Sequence, residues 1–234
     1  MKAMIFAAGL GTRLRPLTNH KPKALVEYQG VPLLQIVLER LRAANFTEVI
    51  INLHHFPEQI RKFISSKNSF GLNINFSDES ELILDTGGGL LKAANFFAGG
   101  ETFLVHNVDI LSDIDLNALL KFNDANDALA TLAVKKRKTS RYLLFDQANL
   151  LCGWRSLQDA KEIIVRQPQG ELIELGFCGI HAISSALPSK LSGEGAFSII
   201  QSYLHLVKKG GKIIAFRADD CAWRDIGKLA ELEK

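Results

Sequence analysis

The sequence predicts an α/β protein: a doubly wound, mostly parallel sheet with a smaller β-rich lobe. Three observations lead there. Apolar, β-branched runs alternate with helix-period segments five times between Lys2 and Val134, the pattern that a parallel sheet covered on both faces requires. A glycine-rich turn follows the first of these runs directly. The second half then exchanges most of its helices for short strands and turns. At 234 residues the chain reads as a single domain, residues 1–135 forming roughly one half and 136–234 the other, with enough length to bury a sizeable core.

Lys2 to Ala7 is an apolar run that reads as a buried strand, ending in Ala8-Gly9-Leu10-Gly11-Thr12-Arg13-Leu14-Arg15-Pro16 and, soon after, Lys21-Pro22-Lys23. Pro32 to Asn45 is predicted helical, because Leu33, Leu34, Val37, Leu38 and Leu41 recur at helical spacing opposite Glu39, Arg40 and Arg42. Thr47 to Leu53 is a second buried strand. Pro57 opens a helix to about Ser65, since proline suits a first turn. Leu72 to Phe76 is a third strand; Thr86-Gly87-Gly88-Gly89 follows, three glycines that leave room for a flat ring against the backbone, with a flexible turn before a helix as the plain alternative, and Leu90 to about Phe97 is an apolar helix. Thr102 to Val105 is a fourth strand, ending at His106-Asn107-Val108-Asp109. Leu116 to Phe122 is helical and Ala128 to Val134 is a fifth strand.

Beyond that point, Arg141–Phe145 and Leu150–Trp154 read as a hairpin around Asp146 to Asn149, with a further strand at Ile163 to Val165. Leu172 to Ile183 is a long strand containing Gly176 and Gly179. Phe197 to Val207 is a helix, Lys212 to Phe216 a strand, and Trp223-Arg224-Asp225-Ile226-Gly227 leads into a short terminal helix. Ligands of doubly wound sheets sit beyond the carboxyl ends of the strands. The loop at Gly9, the glycines at 87–89 and Asp109 are all expected there, in one crevice.

Composition excludes several classes. A net charge of +3 is too weak to imply nucleic acid. The cluster Lys135-Lys136-Arg137-Lys138 is most simply a solvated strand end or loop, with phosphate contact as the lesser alternative. No window approaches the roughly eighteen apolar residues of a membrane span, and Met1 to Phe6 is too short for a signal peptide. The three cysteines, Cys152, Cys178 and Cys221, suit a reducing cytoplasm rather than a disulfide framework or zinc site. The expected setting is cytoplasmic, as a monomer or small homo-oligomer.

Two glycines directly after a strand let backbone N–H groups approach an anion, and the following cations supply fixed positive charge. The Walker spacing is absent. The dinucleotide fingerprint fails because Leu14 stands where its third small residue belongs. An ordinary strand-to-helix turn with surface cations is the plain alternative.

The stretch from Ala8 to Lys23 resembles the signature of sugar-1-phosphate nucleotidyltransferases, Ala-Gly-x-Gly-Thr-Arg-Leu-x-Pro followed by Pro-Lys. Asn52-Leu53-His54-His55, Pro57-Glu58-Gln59-Ile60, Asp85-Thr86-Gly87-Gly88-Gly89 and Asn107-Val108-Asp109 are similar to the short branch of N-acetylmuramate 1-phosphate uridylyltransferases. Trp223-Arg224-Asp225-Ile226-Gly227 resembles the family's closing Trp-x-Asp-Ile/Val-Gly. Neither a β-helix extension nor a helical tail is expected.

The resemblance implies a Rossmann-like nucleotidyltransferase fold and a reaction. A sugar-1-phosphate oxygen attacks the α-phosphorus of an NTP, UTP being favoured, and pyrophosphate leaves. The product would serve cell-wall or surface-polysaccharide precursor synthesis or recycling. The nucleophile is already anionic, so catalysis reduces to positioning and charge neutralisation. Asp109 and Asp225 would hold Mg²⁺. Arg13, with the backbone of Gly11 and Thr12, would clamp the departing phosphates, and Lys23 would reach the α-phosphate or the sugar phosphate. Ala7, Ala8 and Gly9 would flank the base, and Thr86 and Gly87 would approach its polar edge. Asn107, Glu171, Glu174 and Gly179 are candidates for the acceptor sugar. Many relatives carry Glu-Lys-Pro where Arg166-Gln167-Pro168 stands here, so the sugar does not carry over with the chemistry.

Plainer roles stand beside these. Asp109 alone could cap a turn, Asp225 could pair with Arg224 or cap a helix, and Lys23 could be a surface lysine. Lys21 reads as a surface lysine and Arg15 fits either role. His54 and His55 have no third ligand in view, His106 reads as a buried strand residue, and Asp113 and Asp115 as helix caps. Other donors (GTP, CTP, ATP), other acceptors (mannose, heptose, phosphocholine), a non-catalytic nucleotide-binding subunit and a nicotinamide-dependent oxidoreductase are the competing readings.

Overall fold

The first strand, β1 (Lys2–Phe6), sends Ala3 and Ile5 into one hydrophobic cluster and Met4 into another. Both faces are buried, so the run is continuously apolar instead of alternating. The structure, a computed structural model, describes residues 1–232. After β1, three 3₁₀ turns (Thr12–Leu14, Leu17–Asn19, Lys23–Leu25) lead to a small ribbon, β2 (Glu27–Tyr28) and β3 (Val31–Pro32). Then follow α1 (Leu33–Ala43), β4 (Glu48–Leu53), α2 (Pro57–Ser66), β5 (Asn73–Asp78), α3 (Asp85–Lys92), β6 (Phe103–Asn107), β7 (Ile110–Ser112), α4 (Leu116–Ala125) and β8 (Ala130–Lys135). The second half contributes β9 (Arg141–Phe145), β10 (Leu151–Ser156), β11 (Lys161–Ile164), β12 (Ile173–Ile183), α5 (Ile199–Lys208), β13 (Ile213–Arg217), β14 (Trp223–Asp225) and α6 (Leu229–Leu232).

Strands β5, β4, β1 and β6 run parallel in that order. β12 joins β6 antiparallel, and β8 and then β13 extend the sheet beyond it. Helices α1, α2 and α4 supply the apolar side chains of one face, and α3 and α5 those of the other. The first residues of β12, Ile173–Leu175, pair instead with β9, from which β10 and β11 continue as an antiparallel arm. The doubly wound sheet and the β-rich lobe are thus both present. The halves meeting near residue 135 share one sheet, because β12 and β13 complete the core that the first half begins.

Besides the short strands β2, β3, β7 and β14, which the sequence reading does not contain, the main difference lies at α3. The glycines at 87–89 are not a turn before a helix; they lie inside α3, and the segment Ala94–Phe97 is a separate 3₁₀ turn. All three glycines are buried. A Cβ would meet the Phe197 ring at 2.4 Å from Gly87, Gly195 O at 2.3 Å from Gly88 and Glu79 Oε1 at 2.8 Å from Gly89. Close approach by backbone and a buried carboxylate, not turn formation, accounts for the run.

Candidate active site

A crevice of about 270 Å³ opens beyond the carboxyl ends of β1, β4 and β6. Ala8, Gly9, Arg13, Lys23, Thr86, Asn107 and Asp109, all singled out from the sequence, are on its walls. Asn52, Glu79, Ile83, Asp85 and Phe6 complete them.

The floor is set by a buried polar chain. Asn52 Oδ1 accepts from the Ala7 and Ala8 N–H groups at 2.6 and 3.2 Å, and Asn52 Nδ2 donates to Glu79 Oε1 at 2.8 Å. The other Glu79 oxygen accepts from Leu84 N, tying the approach to α3 to the same point. Asn52 and Glu79 are both buried. Sequence reasoning assigned neither a role, although an asparagine within the otherwise apolar run of β4 was a visible signal.

Above this floor the glycine loop folds over its own cations. Gly11 has φ +64°, and a Cβ there would come within 2.8 Å of Thr18 Cγ2 and 3.0 Å of Lys23 Cβ. Thr18 Oγ1 donates to Gly11 O at 2.9 Å. The glycine therefore lets the loop settle directly on the turn that carries Lys23. Leu14 is fully buried, which anchors the 3₁₀ turn and leaves Thr12 and Arg13 exposed. Gly9 has open space where a side chain would be.

Asp109 and Asp225 come from distant parts of the chain. Strand β7, directly after Asp109, pairs antiparallel with β14, setting Asp225 opposite Ile110. Ile226 N donates to Asp109 O at 2.8 Å. A Cβ built on Gly227 would stand 2.7 Å from Asp225 Oδ1, 2.8 Å from Arg13 Nη2 and 2.8 Å from Asp109 Oδ2. Lys23 Nζ donates to Asp109 Oδ2 in an ion pair. Arg224, the alternative partner of Asp225, donates instead to the Tyr28 hydroxyl. Asp225 Oδ1 accepts from Gly227 N at 2.8 Å.

Two carboxylates with oxygen donors only, facing a space that borders an arginine and a lysine, fit a hard divalent cation that keeps substrate phosphates among its ligands. Among the described residues no group of three or more His, Cys, Asp or Glu is placed to hold a metal, so the protein itself offers such an ion these two carboxylates and not a full cage.

Behind Asp109 lies His106, fully buried. Burial, with the neighbouring Arg40 charge, pushes its pKa down to about 3. Arg40 donates to Ser112 Oγ at 3.1 Å and to Ile114 O, and stands 3.3 Å from His106 Nε2. It therefore clamps the segment on both sides of β7.

The remaining candidates fall elsewhere. Gly87 does not line the crevice: its N–H donates to Phe197 O and the Phe197 ring covers it. Gly179, φ +73°, sits where the β12–β8 register shifts, and a Cβ there would stand 3.0 Å from Asn107 Nδ2, so it packs against the end of β6. Glu174 is ion-paired with Arg155, and Glu171 is exposed in the loop before β12. Neither is on the crevice walls. His54 Nδ1 bonds Glu79 O and His55 Nε2 bonds Thr18 O, so both histidines serve the backbone. Asp115 caps α4 by accepting from Ala118 N, whereas Asp113 does not cap it.

Comparison with known proteins identifies the family of the chain. Residues 2–144 match the nucleotidyl transferase family model. The chain is 45% identical over 118 residues to an N-acetylmuramate alpha-1-phosphate uridylyltransferase of Neisseria meningitidis, covering 50% of this chain and 51% of that protein. It is 31% identical to the protein of the same name from Caulobacter vibrioides over 96% of this chain and 91% of that one. A solved structure described as a putative glucose-1-phosphate thymidylyltransferase from Bacillus anthracis has the same fold, with a TM-score of 0.81 at 17% identity, covering 100% of this chain and 92% of that chain. A family model that matches more than half of the chain, and a relative matched along nearly the whole length of both proteins, show that the chain belongs to the nucleotidyl transferase family.

Proposed function

We propose that the chain transfers a uridylyl group from UTP to a sugar 1-phosphate, releasing pyrophosphate and forming a UDP-sugar, with N-acetylmuramate 1-phosphate as the acceptor and Mg²⁺ as cofactor. A role in cell-wall precursor supply or recycling follows from that acceptor. The observation that carries the reading is the convergence of Arg13, Asp109 and Asp225 around Gly227, with Lys23 paired to Asp109. The names of the two bacterial relatives support the choice of base and sugar.

In the reaction, an oxygen of the sugar phosphate forms a bond to the α-phosphorus. The bond from that phosphorus to the bridging oxygen breaks, and pyrophosphate leaves with its electrons. The nucleophile is an anion, so no general base is needed. The buried His106, held neutral behind Asp109, is not asked to be one. What the residues supply is charge: Arg13 would face the leaving phosphates, and Lys23, paired with Asp109, would reach the α-phosphate. Asp109 and Asp225 would hold Mg²⁺, which when bound neutralises phosphate charge and polarises the α-phosphate. Ala8, Gly9 and Thr86 border the space for the nucleoside. Thr86 Oγ1 accepts from Ile199 N at 3.0 Å, which fixes that wall against α5.

The test is pyrophosphate release across four NTPs and a panel of sugar 1-phosphates (N-acetylmuramate, N-acetylglucosamine, glucose, mannose), with and without Mg²⁺. Release that requires UTP, N-acetylmuramate 1-phosphate and the metal supports the reading. Release with another NTP or sugar replaces the substrate assignment, and nucleotide binding without release on any acceptor removes the enzymatic one.

A further inference from the structure

A second cavity, about 500 Å³, lies between the start of α3, helix α5 and the β9–β11 arm, and it shares Asp85 with the nucleotide crevice. On the proposed function this cavity takes the acceptor, and we infer that Arg137, Arg141 and Lys161 on its walls select a sugar phosphate bearing a second anionic group, a carboxylate on the sugar. The inference deepens the proposed function and rests on it.

The charge pattern is the first argument. Other cations of the arm are neutralised: Arg155 pairs with Glu162 and Glu174, and Arg166 with Asp146. Arg137, Arg141 and Lys161 form no salt bridge among the described residues, and all three line this one cavity. Its one carboxylate, Asp85, stands at the border with the crevice. Three uncompensated cations are more than a neutral hexose needs, and a carboxylate suits the guanidinium fork.

Placement is the second. Arg137 is fixed: Nη2 donates to Phe177 O at 2.9 Å, and its Cζ lies 4.2 Å from the centroid of the Trp223 ring. Trp223 is on β14 with Asp225. The cationic wall is therefore braced against the strand that carries a proposed metal ligand. A sugar lying here can keep its phosphate toward that strand while its ring substituents face the arm. Phe177 and Trp154 give the cavity apolar faces, which suit the C–H surface of a pyranose.

The test compares N-acetylmuramate 1-phosphate with N-acetylglucosamine 1-phosphate, which lacks only the carboxylate-bearing lactyl ether. Steady-state kinetics use the intact protein with Arg141→Gln and, as a second variant on an exposed strand position, Lys161→Gln. The expected result is a rise of about tenfold or more in KM for the acidic acceptor in each variant, with KM for UTP and for the neutral acceptor within about twofold of the original protein. An equal rise for both acceptors would mean that the cations read the shared phosphate, and no rise would mean that they read nothing; either overturns the inference. If no acceptor is turned over by the unaltered protein, the proposed function fails by itself. Calorimetric titration of the two sugar phosphates then still decides the pocket: tighter binding of the acidic one, lost in the variants, supports it, and equal binding overturns it.

Discussion

Asp109 and Asp225 face one another across Gly227, each with a carboxylate oxygen less than 3 Å from the point where a side chain on that glycine would begin. The β7–β14 pairing holds them there. Gly227→Ala would place a methyl group against both oxygens and Arg13 Nη2. The expected outcome is a loss of roughly 100-fold in kcat/KM and a weakened Mg²⁺ dependence, the size seen when one charge-stabilising element is displaced. A Mg²⁺ titration of the variant is the check. Unchanged metal dependence would mean that the two carboxylates do not share an ion.

Lys23 and Asp109 form an ion pair at the crevice, yet the proposed reaction needs them differently. Asp109→Asn is expected to abolish turnover while leaving nucleotide binding measurable. Lys23→Met is expected to lower kcat by roughly 10²–10³-fold and leave Mg²⁺ affinity nearly unaltered, because it removes a charge from the phosphate and not a metal ligand. Equal effects of the two substitutions on Mg²⁺ affinity would merge the two roles.

Much of this site was legible in the sequence because its loop is a local feature. Gly9, Gly11, Arg13 and Lys23 sit at fixed offsets after an apolar strand, and strand–helix alternation places that strand's end in the crevice. The glycines at 87–89 were misplaced for a physical reason. Glycine lowers helix propensity, so a triplet reads as a turn, but here Gly195 O, Phe197 and Glu79 need the space. That need arises from elements more than a hundred residues away, or from a buried carboxylate, and no local pattern reports it. Arg137 of the second cavity was hidden likewise: it reads as part of one solvated cluster from Lys135 to Lys138, whereas Lys135 donates to the Ala218, Asp219 and Cys221 carbonyls and Arg137 turns to Trp223.

The packing role of the triplet gives a stability prediction. Gly88→Ala would bring a Cβ to 2.3 Å from Gly195 O, a backbone atom that cannot rotate away. The chain between β12 and α5 would have to shift, costing about 1–3 kcal/mol. Urea unfolding should show it, together with a raised KM for UTP, since Thr86 holds the crevice wall to Ile199 N. A variant as stable as the original would show that this approach is loose.

Arg40 acts on Asp109 without touching the crevice. Burial lowers its pKa, the charges of Asp113, Cys221 and Asp115 oppose the shift, and its donors hold Ser112 and Ile114 O. Arg40→Met removes these bonds and leaves a carbonyl without its donor. The expected cost is about 2–3 kcal/mol of stability, with kcat reduced and KM for UTP little changed, because the segment carrying Asp109 loosens while the nucleotide walls do not. A loss confined to KM would place the effect elsewhere.

Two buried histidines set the acid limit of the fold. His106 and His181 are fully buried, and burial pushes each down to about 3, with Arg40 adding to the first and His106 to the second. Their ordinary value in an unfolded chain is about 6.5. Between those limits the unfolded chain binds more protons than the native one, so stability falls as pH drops below about 6.5 and is fully present above it. At pH 5 the loss is about 2 kcal/mol for each histidine. His181 Nδ1 lies 2.5 Å from the Tyr203 hydroxyl, while its Nε2 has no partner, so a proton added there enters an apolar environment without compensation. Urea unfolding at pH 7.5, 6.5, 5.5 and 5.0 should trace the decline, and His181→Gln, which cannot take up that proton, should halve its slope. A flat profile from pH 7.5 to 5.0 would show that both imidazoles become charged in the native protein without cost.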